Sequence, residues 1–183
     1  MAKRLTVAEC ENLFKEYETP EHIRRHCFGV ARAALILARE MNDHGFSFDL
    51  ELVRGAALMH DLVRLRKNHA GEAAKILQER GYEDEAKIVA VHMDYDMVRT
   101  MEEISEVDLV CFGDRVVKED QFVGLAERMD YVVGKAAGNE EAIKRIRARQ
   151  KDTEVLLTEI EALIGMSIEE LMRKRGDLNE FDL

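Results

Sequence analysis

The feature that most constrains the fold is a run of apolar side chains between Glu21 and Asn42. Apolar residues recur three and four positions apart in this run, which indicates an amphipathic helix with one buried face. Pro20, the only proline among the 183 residues, precedes the run and suits the first turn of a helix. Because strong helix formers dominate and only 6% of residues are aromatic, the sequence predicts an all-α protein.

The rest of the chain continues this pattern with short interruptions, such as those at Gly45 and Gly81. The segment VDLVCF (107–112) also fits a buried strand, and we predict a helix there. Asn68 is predicted to cap a helix, and the acidic tail GDLNEFDL (176–183) to fray. The length fits a single domain over residues 1–183. Further helices are predicted at 49–62, 68–78, 84–94, 106–117, 121–135, 139–163 and 167–174.

Charge and cysteine content exclude several classes of protein. A net charge of −10 disfavours general nucleic-acid binding, which needs a basic face. Three cysteines without a CxxC spacing disfavour a disulfide framework and fit a reducing compartment. No apolar stretch reaches the ~18 residues of a membrane span, and the N-terminus has no signal-peptide pattern. We therefore expect a cytoplasmic protein without a membrane partner.

Histidine and aspartate residues interrupt or end the apolar stripes at six positions. A lone histidine on such a stripe is usually an ordinary core residue, and a lone aspartate at a helix end is usually a cap. Six such positions together favour a shared site, because a buried carboxylate needs a partner and a cation is a natural one. The six residues are His26, His60, Asp61, His69, His92 and Asp114. The other two histidines, His22 and His44, are predicted to lie on the surface.

The order of these motifs resembles the HD superfamily of metal-dependent phosphohydrolases. The matching segments are RRHCFGVARAALILA, GAALMHDLVRL, NHAGEAAKIL, IVAVHMD and CFGDRVVKED. The resemblance covers about residues 18–120 and implies an HD-domain helical bundle. The helices over about 121–175 resemble the C-terminal extension of small bacterial stand-alone HD proteins. The GYP motif of the cyclic-dinucleotide phosphodiesterase branch does not follow the HD pair, which disfavours that branch.

The resemblance implies a ligand set for one or two divalent metal ions. One ion would be held by His26, His60, Asp61 and Asp114. His69 and His92 match the additional ligands of members with a second ion, which Asp61 would bridge. We therefore expect a dinuclear centre, with Fe, Mn, Mg, Ni, Co and Zn all open as the metal.

Such a centre would activate water against a phosphomonoester or phosphodiester of a small metabolite or nucleotide. The predicted catalytic residues are Asp61, His60 and Arg64. Phosphate oxygens also need cationic partners, and basic residues follow two of the motifs. The predicted phosphate contacts are Arg64, Arg115 and Lys118. We also expect Asp94, two residues after His92, to orient that imidazole.

Two other functions and the oligomeric state stay open from the sequence. The domain could be a metal- or nucleotide-binding sensor without turnover, or a di-iron oxygenase on the same fold. The long amphipathic pattern at 139–164 could pack on its own domain or mediate a homodimer.

Overall fold

A computed structural model describes residues 3–97 and 100–176 of the chain. Nine α-helices, a short 3-10 helix (Met101–Glu103) and one small β-hairpin make up the secondary structure over these ranges, which confirms the all-α prediction. The helices are α1 (Val7–Glu16), α2 (Glu21–Asp43), α3 (Leu50–Met59), α4 (His69–Glu79), α5 (Glu83–Val91), α6 (Glu106–Val116), α7 (Leu125–Lys135), α8 (Glu140–Ile164) and α9 (Ile168–Gly176).

The structure differs from the sequence prediction at the start of the chain and at the cap of α4. Helix α1 is additional, and it begins with a capping box in which Thr6 and Glu9 satisfy each other's backbone N–H groups. Asn68 precedes α4 as predicted, but its backbone is left-handed (φ 57°) and its side chain forms no capping hydrogen bond. The predicted cap position is therefore confirmed, but Asn68 caps the helix through its backbone oxygen, which accepts from the Glu72 N–H, and not through its side chain. The acidic tail beyond residue 176 lies outside the described residues.

An antiparallel hairpin with two residues in each strand follows α6, in a region where the sequence predicts helices and no strand. Its strands are β1 (Val117–Lys118) and β2 (Gln121–Phe122), and α7 begins only at Leu125. Glu119 in the connecting turn has a φ of 56°, a left-handed conformation that few residues other than glycine adopt. The hairpin lies against α2.

Helix α2 is the central element of the bundle, and α3, α6, α9 and the hairpin pack around it. Its contact with α6 is unusually close, because a Cβ at Gly113 would lie 2.6 Å from the backbone oxygen of Val30. Only glycine permits this approach without a shift of the helices. Since Asp114 directly follows Gly113, the close contact brings the Asp114 carboxylate to the N-terminal part of α2.

The C-terminal helices complete the bundle on one side. Helix α7 packs against α6 and α8, and α9 packs against α2. The apolar face of α8 includes Leu156, Ile160 and Ile164, which are buried within the same chain. The homodimer stays a prediction. Within the described ranges, no helix combines the length and the apolar character that crossing a membrane requires.

Candidate metal centre

All six of the stripe-interrupting residues converge at one place in the structure. His26 lies in the second turn of α2, and Asp114 lies near the end of α6. The other positions are helix ends: His60 directly follows α3, His69 begins α4, and His92 directly follows α5. Their role as metal ligands stays a prediction, but the fold places their side chains within reach of one another.

The six side chains form two adjacent groups. In each group, one potential ligand atom from every residue lies within 4.8 Å of the others. We call His26, His60 and Asp114 the first triad, and Asp61, His69 and His92 the second triad.

Asp61 connects the two triads because its two carboxylate oxygens face different histidines. Its Oδ2 lies 3.6 Å from Nε2 of His60 in the first triad. Its Oδ1 lies 3.1 Å from Nε2 of His69 and 3.7 Å from Nε2 of His92. This arrangement suits a carboxylate that bridges two cations.

Backbone carbonyls fix the orientation of three of the four imidazoles. Each carbonyl accepts a hydrogen bond from Nδ1, so that Nε2 carries the lone pair and points toward the centre. Such an outer hydrogen bond is typical of histidines that bind metals. The three bonds join His26 to Glu119, His60 to Ala57 and His92 to Val89, at 2.8, 2.7 and 2.8 Å.

Several buried polar atoms at the centre have no hydrogen-bond partner among the residues that the structure describes. They are Nε2 of His60, Nε2 of His92 and Oδ1 of Asp61. These atoms face one another as lone-pair acceptors, which is costly in a buried site unless a positive charge lies among them. Imidazole nitrogens and carboxylate oxygens are also the donor set of divalent transition metals. The residues therefore fit a bound divalent cation.

The contact between His69 and Asp61 supports the same conclusion. Nη1 of Arg64 lies 2.8 Å from Nε2 of His69 and donates a hydrogen bond to it. That nitrogen then has no proton for Oδ1 of Asp61, although the two atoms are only 3.1 Å apart. Two acceptors at this distance are consistent with a site built for a cation.

The electrostatic environment keeps the carboxylates charged. Burial opposes ionisation of Asp114, but the neighbouring His26 and the cationic Arg128 hold its pKa below the usual range. Burial also opposes ionisation of Asp61, but nearby positive charge, including the Arg64 guanidinium, holds its pKa well below the usual value. Burial lowers the pKa of His60 to about 4, so this imidazole is neutral near pH 7 and offers a lone pair.

A cleft of about 690 Å³ opens onto the centre, and His26 and Asp61 lie at its floor. Its walls come from the beginning of α2, from Arg64 and Leu65 after the His60–Asp61 pair, and from one face of α7. The volume is in the range of small-molecule sites. A ligand that entered the cleft would therefore meet the two triads.

Comparison with known proteins agrees with this arrangement. The model of the HD domain family matches residues 23–132, which is more than half of the chain. The chain belongs to the HD-domain family. It is also 28% identical to an uncharacterized protein of Methanocaldococcus jannaschii over 148 residues, which are 69% of this chain and 84% of that protein. No solved structure matches the chain at a significant level. HD domains bind divalent metals and are generally metal-dependent hydrolases.

Of the three predicted phosphate contacts in this HD domain, only Arg64 lines the cleft. Arg115 is buried, and its guanidinium donates to the Thr153 hydroxyl at 2.8 Å and to the backbone oxygen of Tyr95. The structure thus contradicts the prediction that Arg115 contacts the phosphate, because helix α6 turns this side chain away from Asp114 and toward α8. Lys118 forms an ion pair with Glu127 at 3.2 Å and is not among the residues that line the cleft.

The expectation for Asp94 is also wrong. Its side chain is 93% exposed and forms an ion pair with Arg149 rather than a contact with His92. The backbone oxygen of Val89 orients His92 instead, since a helix end leaves such carbonyls free to accept. Of the two histidines predicted to lie on the surface, His22 lies at the rim of the cleft and His44 is bonded to the Glu40 carbonyl outside it.

Sequence reasoning missed Arg128 in α7. Nη2 of Arg128 donates to Oδ1 of Asp114 at 3.2 Å, and its Nε donates to the Asp114 backbone oxygen at 3.0 Å. Arg128 also lines the cleft. It lies beyond residue 120, where the predicted HD core ends, whereas the family match extends to residue 132.

Proposed function

We propose that this HD domain is a metal-dependent phosphohydrolase that cleaves a phosphomonoester or phosphodiester bond of a small metabolite or nucleotide. One observation carries the proposal. Two adjacent triads, connected by Asp61, line a cleft and include buried metal-ligand atoms that have no hydrogen-bond partner among the described residues. Family membership supports the hydrolase class.

In this proposal the six triad side chains hold one or two divalent ions, with identity open among Fe, Mn, Mg, Ni, Co and Zn. When bound, the ions supply a water of lowered pKa and neutralise charge on the phosphoryl group. The chain's own contribution is orientation. The carbonyl bonds to Nδ1 hold His26, His60 and His92 with Nε2 toward the centre, and Asp61 serves both triads.

The cationic side chains of the cleft would bind the phosphate oxygens that the ions leave free. Arg64 is 41% exposed and contacts Asp61 and His69 through separate nitrogens, so it can turn toward a ligand. Arg128 extends from α7 to the centre and donates a hydrogen bond to the Asp114 carboxylate. Guanidinium groups bind phosphate oxygens through paired, charge-assisted hydrogen bonds. We therefore assign phosphate binding to Arg64 and Arg128.

The proposal is tested by release of inorganic phosphate from a panel of phosphomonoesters and diesters. The protein is stripped of metal and reloaded separately with each of the six metals. We expect turnover with at least one metal. Asp61→Asn should lower kcat/KM by about three orders of magnitude, because several kcal/mol of transition-state stabilisation depend on the ions. The matched control is Asp94→Asn, since this exposed acid lies outside both triads.

Two outcomes would contradict a hydrolase. Tight nucleotide binding without phosphate release under every metal would indicate a sensor module. Oxygen consumption by the iron-loaded protein, again without phosphate release, would indicate an oxygenase.

A further inference from the structure

The wall of the cleft opposite α2 is one face of α7. The α7 residues that line the cleft are spaced three or four positions apart, as expected for a single helix face. They are Arg128, Tyr131, Val132 and Lys135, with Ala136 just past the end of the helix. Leu125 and Met129 lie on the adjoining face and are buried. Helix α7 is therefore fixed by its apolar face, and its cationic face is left for the cleft.

The cleft is cationic although the chain carries a net charge of −10. Four basic residues line it, and two acids, Asp61 and Glu119, lie among them. Three of the basic residues already contact carboxylates: Arg25 contacts Asp120, Arg64 contacts Asp61, and Arg128 contacts Asp114.

Lys135, the fourth, differs from these three. Among residues 3–97 and 100–176 it forms no ion pair with a carboxylate. Its ammonium lies 4.4 Å from the centre of the Tyr131 ring. The nearby Lys135 also lowers the pKa of the Tyr131 hydroxyl. The ammonium is thus kept in the cleft by a neutral group and stays available to an anion.

The spacing along α7 separates Lys135 from the part of the helix that contacts the first triad. Arg128 contacts Asp114 of the first triad, and Lys135 follows seven residues later. Seven residues of an α-helix span about 10 Å. The apolar Val132 lies between these positions, and Leu65 lines another part of the cleft. A ligand can therefore extend from the triads along α7 past apolar groups and end near Lys135.

We propose that the substrate carries a second anionic group, about two helical turns (~10 Å) from the reacting phosphorus, which Lys135 and the Tyr131 hydroxyl bind. This inference rests on the proposed phosphohydrolase function, because that function places the first phosphate at the triads. The substrate class is then a phosphate ester with a second phosphate or carboxylate at its far end.

The test compares two probes that differ only in the second anion, pentyl phosphate and pentanediol bisphosphate. Dissociation constants are measured by calorimetry on the metal-loaded full chain, and phosphate release is followed in parallel. We expect the bisphosphate to bind about tenfold more tightly, since one charge-assisted contact contributes roughly that much. A third probe with a terminal carboxylate then shows whether the far group is a phosphate or a carboxylate.

Two variants identify the residue responsible. Lys135→Gln should abolish the tenfold advantage of the bisphosphate and leave the affinity for pentyl phosphate unchanged. Lys144→Gln is the matched control, because this exposed lysine lies on α8 outside the cleft, and the advantage should persist. Tyr131→Phe keeps the ring and should reduce the advantage severalfold.

Equal affinity of the wild-type protein for both probes would overturn the inference. Hydrolysis of pentyl phosphate in that case would leave the proposed function intact. An advantage that survives Lys135→Gln would also overturn the inference, because another group would then bind the second anion. Absence of both binding and turnover, under every metal, would contradict the function and the inference together.

Discussion

The two triads meet at Asp61 but are held in place by different means. The first triad joins residues up to 88 positions apart, His26 and Asp114, and depends on the close packing of α6 against α2. The second triad takes Asp61 from the turn between α3 and α4, His69 from the first position of α4 and His92 from the end of α5. The comparison indicates that the first triad depends on the packing of two helices distant in sequence, whereas Asp61 and His69 of the second triad are close neighbours along the chain.

The arginines differ in the same way. Arg128 on Asp114 is 15% exposed and also bonds a backbone oxygen, so it is part of the packed structure. Arg64 on Asp61 is 41% exposed and donates to the imidazole of His69, the nitrogen that a metal would need. A cation would therefore displace Arg64 from the His69 imidazole of the second triad, whereas in the first triad the Arg128 guanidinium bonds the Asp114 carboxylate and contacts neither imidazole. We expect the first triad to bind its ion more tightly.

The largest effect is expected when the residue shared by the triads is removed. Asp61→Ala should lower the affinity for both ions by a hundredfold or more, because the variant deletes a carboxylate that faces histidines of both triads. His26→Ala and His69→Ala should each release only one ion. Metal content after dialysis and calorimetric titration measure these outcomes. Two ions retained by Asp61→Ala would show that the triads are independent.

The next largest effect concerns the packing that assembles the first triad. Gly113→Ala places a Cβ 2.6 Å from the Val30 backbone oxygen, so that α2 and α6 must separate. We expect a loss of about 2–3 kcal/mol in the free energy of unfolding, as for an overpacked core, together with weaker metal binding at the first triad. Urea denaturation and metal titration check both.

Gly134→Ala on α7 is the control for this change. A Cβ at position 134 would meet no atom within 4 Å, and alanine favours the helix. This variant should be as stable as the wild type or slightly more stable. Equal stability of the two glycine variants would contradict the packing argument.

The sequence predicts the six triad residues because each one interrupts or ends an apolar stripe at helical spacing. It also predicts most helices, including α6, where VDLVCF alone fits a strand equally well. Periodicity identifies which face of a helix is buried. It does not identify which neighbour that face meets, and for that reason Arg115 is predicted in the site although it lies against α8.

The missed residues have the same explanation. Arg128, Tyr131 and Lys135 have the spacing of one helix face, but nothing in the sequence shows that this face borders the cleft. The hairpin is also invisible to periodicity, because its strands have only two residues each. Its contribution to the centre is the backbone carbonyl of residue 119, which no side-chain pattern in the sequence marks.

A smaller effect is expected from the two arginines. Arg128→Met should lower the free energy of unfolding by about 1–3 kcal/mol, because it removes two hydrogen bonds to Asp114. Arg64→Met should change stability by less than about 0.5 kcal/mol, since its side chain is largely at the surface. Arg64→Met should also raise the affinity of the second triad for its ion severalfold, because no guanidinium then competes for the His69 imidazole. Metal titration and urea denaturation of both variants measure these differences. An equal loss of stability in the two variants would contradict the distinction between a packed Arg128 and an exposed Arg64.

The smallest effect concerns the hairpin that orients His26. A Cβ at Gly29 would lie 3.1 Å from the Cα and the backbone oxygen of Asp120, close enough to move the hairpin by a few tenths of an ångström. Glu119, whose carbonyl accepts the hydrogen bond from Nδ1 of His26, adjoins Asp120 and would move with it. Gly29→Ala should therefore lower the affinity of the first triad for its ion two- to threefold. It should lower the free energy of unfolding by at most about 1 kcal/mol. The ion of the second triad should be unaffected, because in the described part of the chain no hydrogen bond or ion pair joins Asp61, His69 or His92 to the hairpin. Equal weakening of both ions in a metal titration would show that the triads respond as one unit and that packing does not separate them.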